Sequence, residues 1–130
     1  MTGNRISYNP PTPTILGSTY TPFISKITNI NTVAARQCTY IRIGNTCSVS
    51  GQCDIKATAT GSIVIGIALP VASNFSTSYQ AGGAAASTNT TSNFSGTIQA
   101  NSTSDIVELK YYASDTNVNT VTFSFLYEII

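Results

Sequence analysis

The stretch Tyr40–Ile55, YIRIGNTCSVSGQCDI, decides the fold, because its alternation predicts two β-strands joined by a tight turn. The length of the turn fixes which side chains share a face, since a slip of one residue moves a whole strand's side chains to the other face. If the loop were the two residues Gly44-Asn45, Ile43 would face Thr46 and the apolar faces of the two strands would disagree.

A loop of three residues, Gly44-Asn45-Thr46, removes that disagreement. Ile43 then faces Cys47 and Ile41 faces Val49, so the apolar side chains of both strands lie on one face. Loops of this length are a common hairpin class and accept Gly or Asn at positive φ. The sequence therefore predicts the three-residue loop.

The three cysteines fall in or beside this hairpin, and the predicted register constrains them. Cys47 and Cys53 share one strand face but lie roughly 20 Å apart, beyond the reach of a disulfide. Cys38 falls on the opposite face of its strand. The spacing matches no zinc motif and the chain has no histidine. We predict that Cys47 and Cys53 are buried free thiols, and a bridge from Cys38 to a neighbouring subunit is the alternative.

Composition narrows the class of protein. The chain has 130 residues, 42% of them hydrophobic and only 8% charged, against roughly 25% charged in an ordinary domain. Serine, threonine and asparagine supply the polarity instead. A polar but uncharged surface is typical of subunits that pack together or of proteins that work outside a cell. The net charge of +1 argues against nucleic acid as a partner. We also expect no membrane insertion and no secretion signal, because no apolar run is long enough and the N-terminus lacks an apolar core segment.

Period-two patterns continue through the rest of the chain. They mark strands in FISKITNI, SIVIGIALP, NFSGTIQA, DIVELKYYA and VTFSFLYEII. The Gly- and Ala-rich run AGGAAASTNTTSN is assigned to a turn, and the surface loops are expected at 72–92 and 113–119. About eight short strands with regular turn signals predict an all-β fold, an antiparallel β-sandwich of jelly-roll type over residues 23–130.

The N-terminal residues 1–22 differ in composition from the rest. They hold four of the five prolines, which favour extended chain and cannot donate to a sheet ladder. We predict an extended arm that attaches the protein to a neighbour, and the alternative is a frayed terminus. The candidate attachment residues are Tyr8, Pro10, Pro11 and Pro13.

Catalysis is not expected. The absence of histidine excludes Ser-His-Asp and Cys-His arrangements, and the five carboxylates form no pair in the sequence, so neither an enzyme nor a cofactor is predicted. An enzyme would require an unforeseen close pair of carboxylates. Tyr79, Tyr111 and Tyr112 are candidate surface contacts to glycans, where rings stack on sugars while amides and hydroxyls hydrogen-bond to them. The alternative is that the tyrosines pack at a subunit interface or sheet edge.

The segment YIRIGNTCSVSGQCDIKATATGSIVIGIALPVASNFSTSYQAGGAAA and the closing TVTFSFLYEII resemble the C-terminal knobs of bacteriophage tail fibres, head fibres and related receptor-binding proteins. The resemblance covers roughly residues 20 to 130 and is most specific from 40 to 83. It implies a β-sandwich that assembles as a homotrimer on a virion. The short arm, in place of a long shaft, favours a small head-fibre or capsid-decoration protein bound to other virion proteins. A carbohydrate-binding adhesin module is the alternative function.

Overall fold

The computed structural model describes residues 15–88 and 94–130, which form ten strands and one short 3-10 helix, Ser78–Gln80. The strands are β1 (Ile15–Tyr20), β2 (Ile24–Thr28), β3 (Ile30–Ala35), β4 (Cys38–Ile43), β5 (Thr46–Ala57), β6 (Gly61–Ile67), β7 (Ala81–Ser87), β8 (Ser95–Asn101), β9 (Ile106–Ala113) and β10 (Val118–Glu128).

All strand pairs are antiparallel and join into one sheet in the order β1-β4-β5-β10-β7-β8-β9-β6-β2. The long strand β5 pairs along one edge first with β4 and then with β3. The sheet curls, because β3, which lies off this path and pairs with β5, also contacts β2 and β6 at the far end of the path. The expected all-β, antiparallel, sandwich-like fold is therefore confirmed, with ten described strands where about eight were expected.

The core lies on the concave face of the curled sheet. Strand β10 shows the expected period of two, since its alternate side chains Val121, Phe123, Phe125 and Tyr127 are all buried. Facing strands add the isoleucines of β6 and the aliphatic residues of β9. Each such side chain contributes about 1.5–3 kcal/mol when fully buried, so this alternation is what holds the chain in one register.

The hairpin between β4 and β5 has a two-residue loop, so the three-residue prediction is wrong. Ile43 pairs with Thr46 and Ile41 with Ser48. Gly44 has a φ of +59°, as in the type II′ turn, in which glycine takes the first central position. The apolar faces of the two strands do disagree: Cys47 faces the core, whereas Ile41 and Ile43 point outward and are exposed.

Three strands occupy segments where no strand was expected. Residues 15–20 of the predicted arm form β1, which pairs with β4 along its whole length. β3 follows β2 after a turn at Asn29, whose φ is +58°. The run 81–87, assigned to a turn, is β7 and lies between β10 and β8. Residues Tyr8, Pro10, Pro11 and Pro13 lie outside the described residues, so the attachment arm and its boundary at residue 22 stay predictions.

Candidate functional site

The three cysteines lie in the core of the fold. All three cysteines are buried and free, and burial raises the pKa of each, that of Cys53 to about 12. The prediction for Cys47 and Cys53 is confirmed. Cys38 was expected on the face opposite to that of Cys47 and Cys53, and this is wrong, because all three side chains lie on the core face. Cys38 packs against Gly51, where an added Cβ would overlap the Cys38 Sγ atom. Cys38 is 1% exposed in the single chain, and a bridge from it to a neighbouring subunit stays a prediction.

The convex side of β1, β4, β5, β10 and β7 forms a broad surface that we call the outer face. Cross-strand pairing arranges its side chains in rows. One row runs through Gly17, Ile41, Ser48, Leu126 and Gly82. The next runs through Thr19, Thr39, Ser50, Ser124 and Ala84. None of the described residues in these two rows carries a charge.

Four large aliphatic side chains on the outer face form what we call the apolar patch: Ile15, Ile41, Ile43 and Leu126. Half or more of each side chain is exposed. Ile15 and Ile43 are direct cross-strand partners, and Ile41 and Leu126 are separated by Ser48 alone, which places their strands roughly 10 Å apart. A contiguous apolar surface of this kind marks an interaction site more often than isolated exposed residues do.

The charged groups on the outer face lie near the two ends of its strands and not in the middle. At one end Arg36 donates two hydrogen bonds of 3.1 Å to Asp54, and Thr120 donates a third of 2.7 Å. The Arg36 guanidinium, and then Thr120, hold the pKa of the Asp54 carboxyl below its usual value. At the other end Glu128 lies in the row of Thr46 and Ile43. The middle of the face is thus left neutral.

A groove of about 500 Å³ crosses the β7 side of the outer face. Gly82, Leu126 and Thr46 belong to its sheet floor, with Tyr79 and Asn45 on the flanking turn and hairpin loop. Its lining is completed by Gln80, Ala81, Tyr127 and Glu128.

Hydrogen bonds fix the segment that carries Tyr79. The Gln80 Oε1 atom accepts from the backbone N–H groups of Ser76 and Thr77 at 2.7 and 3.1 Å. Upstream, the Tyr127 hydroxyl donates to the Val71 carbonyl at 2.6 Å and accepts from the Val71 N–H at 3.1 Å. The Tyr79 ring therefore projects from a turn that hydrogen bonds hold in place.

The structure separates the three tyrosines that were expected at the surface. Tyr79 is 84% exposed and lines the groove, and Tyr112 is 64% exposed on β9. Tyr111 is only 6% exposed and stacks on Phe94 with ring centroids 3.8 Å apart. The surface position expected for Tyr111 is therefore wrong, because the strand period places it on the core face with Leu109. Sequence reasoning missed the apolar patch, since it assigned Ile41 and Ile43 to the core.

Comparison of the chain with protein-family models, with curated proteins and with solved structures finds no match. Within residues 15–88 and 94–130, no helix has the length and apolar character needed to cross a membrane. Those residues also contain no cluster of three or more His, Cys, Asp or Glu side chains able to hold a metal ion.

Proposed function

We propose that the chain is a structural protein of a bacteriophage virion, a homotrimeric knob that either ends a fibre or decorates the capsid. The observation that carries the proposal is the neutral outer face with its apolar patch on an all-β sandwich-like fold. The resemblance of the strands from Tyr40 onward to phage fibre knobs supports the same role.

The outer face suits a second copy of the chain better than a charged partner. Its two central rows combine exposed Ile41 and Leu126 with serine and threonine hydroxyls. Interfaces between permanently associated subunits are the apolar, charge-poor kind. Because the two central rows carry no charge, they have nothing to complement a basic or acidic partner, whereas they suit an equally neutral surface on a second copy. Three copies packed through the β1 and β4 side of this face would cover Ile15, Ile41 and Ile43 of each copy and leave the β7 side of the face open.

The proline-rich N-terminal residues supply the attachment in this proposal. They lead into β1, an edge strand of the outer face. An arm that begins beside a subunit interface can extend away from the trimer toward other virion proteins. Tyr8, Pro10, Pro11 and Pro13 are its proposed contact residues, and the particle is the proposed location of the chain.

Particle incorporation tests the proposal. Virions of the phage that encodes the chain, purified on a density gradient, should contain it, and immunogold labelling should place it at a fibre end or on the capsid. Deletion of residues 1–14 is the sharpest variant, because it removes the four proposed contact residues of the arm but keeps β1 paired with β4. The truncated chain should fold and assemble but be absent from particles. A chain missing from wild-type particles would refute the virion role, and truncated chains that still load would refute the arm.

A carbohydrate-binding adhesin module remains the second candidate function. The observation in its favour is the exposed ring of Tyr79 beside a groove with polar lining. The two candidates are compatible, since a knob on a virion is also where host contact takes place.

A further inference from the structure

Three features of the groove bear on what it can bind. It holds one highly exposed aromatic ring, Tyr79, an apolar floor residue, Leu126, and a floor position without a side chain, Gly82. Its volume of about 500 Å³ is of the size found for small-molecule sites. An added Cβ at Gly82 would meet nothing within 4 Å, so the space above this part of the sheet is open.

The polar groups around the ring have the chemistry that hydroxyl-rich ligands need. Asn45 contributes an amide, Thr46 a hydroxyl and Glu128 a carboxylate, which together offer donors and acceptors. The face of an aromatic ring carries negative charge density and attracts positively polarised C–H groups. A ring beside amide, hydroxyl and carboxylate groups therefore matches a pyranose, which presents a C–H face on one side and hydroxyls at its rim.

Charge narrows the class of sugar. Glu128 is the one acidic residue among the described residues that line the groove, and no lysine or arginine lines it. A carboxylate repels sialic acids, uronic acids and sugar phosphates, while it accepts hydrogen bonds from neutral hydroxyls. The groove therefore favours neutral glycans.

The site is also preformed. Besides the Tyr127 and Gln80 contacts, the Ser73 hydroxyl donates to the Glu128 carbonyl at 2.7 Å, and the Phe75 N–H donates to Asp105 at 2.9 Å. These bonds join the segment before Tyr79 to β10 and to the turn before β9. A ligand then meets a fixed ring and need not order the turn, which lowers the entropy lost on binding.

We infer that the groove between Tyr79 and Asn45 binds a neutral pyranose of a cell-surface glycan, with the Tyr79 ring as the stacking platform. The inference deepens the carbohydrate-binding candidate of the proposed function and rests on it for its biological setting. It does not depend on the arm or on the apolar patch, apart from Leu126, which the groove and the patch share.

The test uses the full chain on a glycan array, followed by titration of the best soluble glycan by calorimetry. Wild-type protein should bind neutral glycans and not their sialylated or phosphorylated forms. Tyr79→Ala should weaken binding at least tenfold, and Tyr79→Phe should retain most of it because the ring remains. Gly82→Trp should abolish binding by filling the open floor. Tyr112→Ala is the matched control, since it removes an exposed tyrosine that does not line the groove, and it should bind as wild type does.

Thermal unfolding of each variant separates lost binding from lost folding, and Tyr79→Ala decides the question if Gly82→Trp does not fold. No binding to any glycan, a preference for anionic glycans, or binding that survives Tyr79→Ala would each overturn the inference. None of these results affects particle incorporation, so failure here is distinguishable from failure of the virion role.

Discussion

Replacement of Ile41 by alanine tests the outer face as the subunit interface. Ile41 lies in the apolar patch and is 51% exposed in the single chain. A fully buried isoleucine gains about 1.5–3 kcal/mol relative to an exposed one, so its exposed half has about 1 kcal/mol left to gain. A symmetric trimer contains three such side chains, and their loss should weaken assembly by about 3 kcal/mol if they act independently. That corresponds to about a hundredfold change in the association constant.

Sedimentation equilibrium over a wide concentration range measures this change. The matched control is Ile27→Ala, because Ile27 is 45% exposed but lies on β2, at the other end of the sheet order. Ile27→Ala should leave the trimer–monomer equilibrium unchanged. The unfolding free energy of the isolated monomer should change little in Ile41→Ala, since that side chain is half in solvent before assembly. A wild-type chain that is monomeric at micromolar concentration refutes self-assembly, and equal effects of the two variants refute the outer face as the interface.

The remaining predictions concern stability and are measured by urea unfolding. Gly83→Ala should destabilise the fold by about 3 kcal/mol or more, because its Cβ would overlap the Ser124 carbonyl oxygen and lie 2.7 Å from the Phe125 Cα atom. The neighbouring Gly82→Ala should leave stability unchanged, because the space around that position is open. Equal losses of stability in the two variants would contradict the faces assigned to these glycines. Tyr127→Phe should cost about 1–3 kcal/mol, because it leaves both backbone groups of Val71 without their partner, whereas Tyr79→Phe should cost nothing measurable. Above pH 9 stability should fall, because unfolded thiols ionise near pH 8.5 while Cys53 keeps its proton in the fold up to about pH 12. Each such thiol contributes a slope of about 1.4 kcal/mol per pH unit. Cys53→Ala should reduce the slope between pH 9 and 10, and an unchanged slope would show that Cys53 ionises in the folded chain.

The sequence predicts a strand well when its side chains alternate between apolar residues, which face the core, and polar residues, which face solvent. VTFSFLYEII is the clearest case, since the four buried apolar side chains of β10 are the ones that alternation marks. Tyr111 could have been placed by the same reasoning, because Val107 and Leu109 precede it at the same spacing. β7 could not, since its run of glycine and alanine carries no alternation, and its place in the sheet depends on pairing with β10 and β8, which are distant in the sequence.

The groove could not be predicted from local pattern, because it is built from three separate segments of the chain. Asn45 comes from the β4–β5 turn, Tyr79 from the 3-10 helix and Glu128 from the end of β10. The antiparallel pairings β5–β10 and β10–β7 bring these segments together. Sequence spacing gives no measure of such distances until the strand order is known.

The misassigned hairpin is itself informative about function. A chain selected only to fold alone would place polar residues at positions 41 and 43, so that both faces of the hairpin agreed with a Gly-Asn turn. It instead keeps isoleucine at both positions while the turn holds the two-residue register. Departures from local consistency of this kind are expected where a surface has a second role. The two exposed isoleucines therefore favour the subunit interface proposed above, and the cross-strand position of Ile15 beside Ile43 extends the same apolar surface onto a second strand.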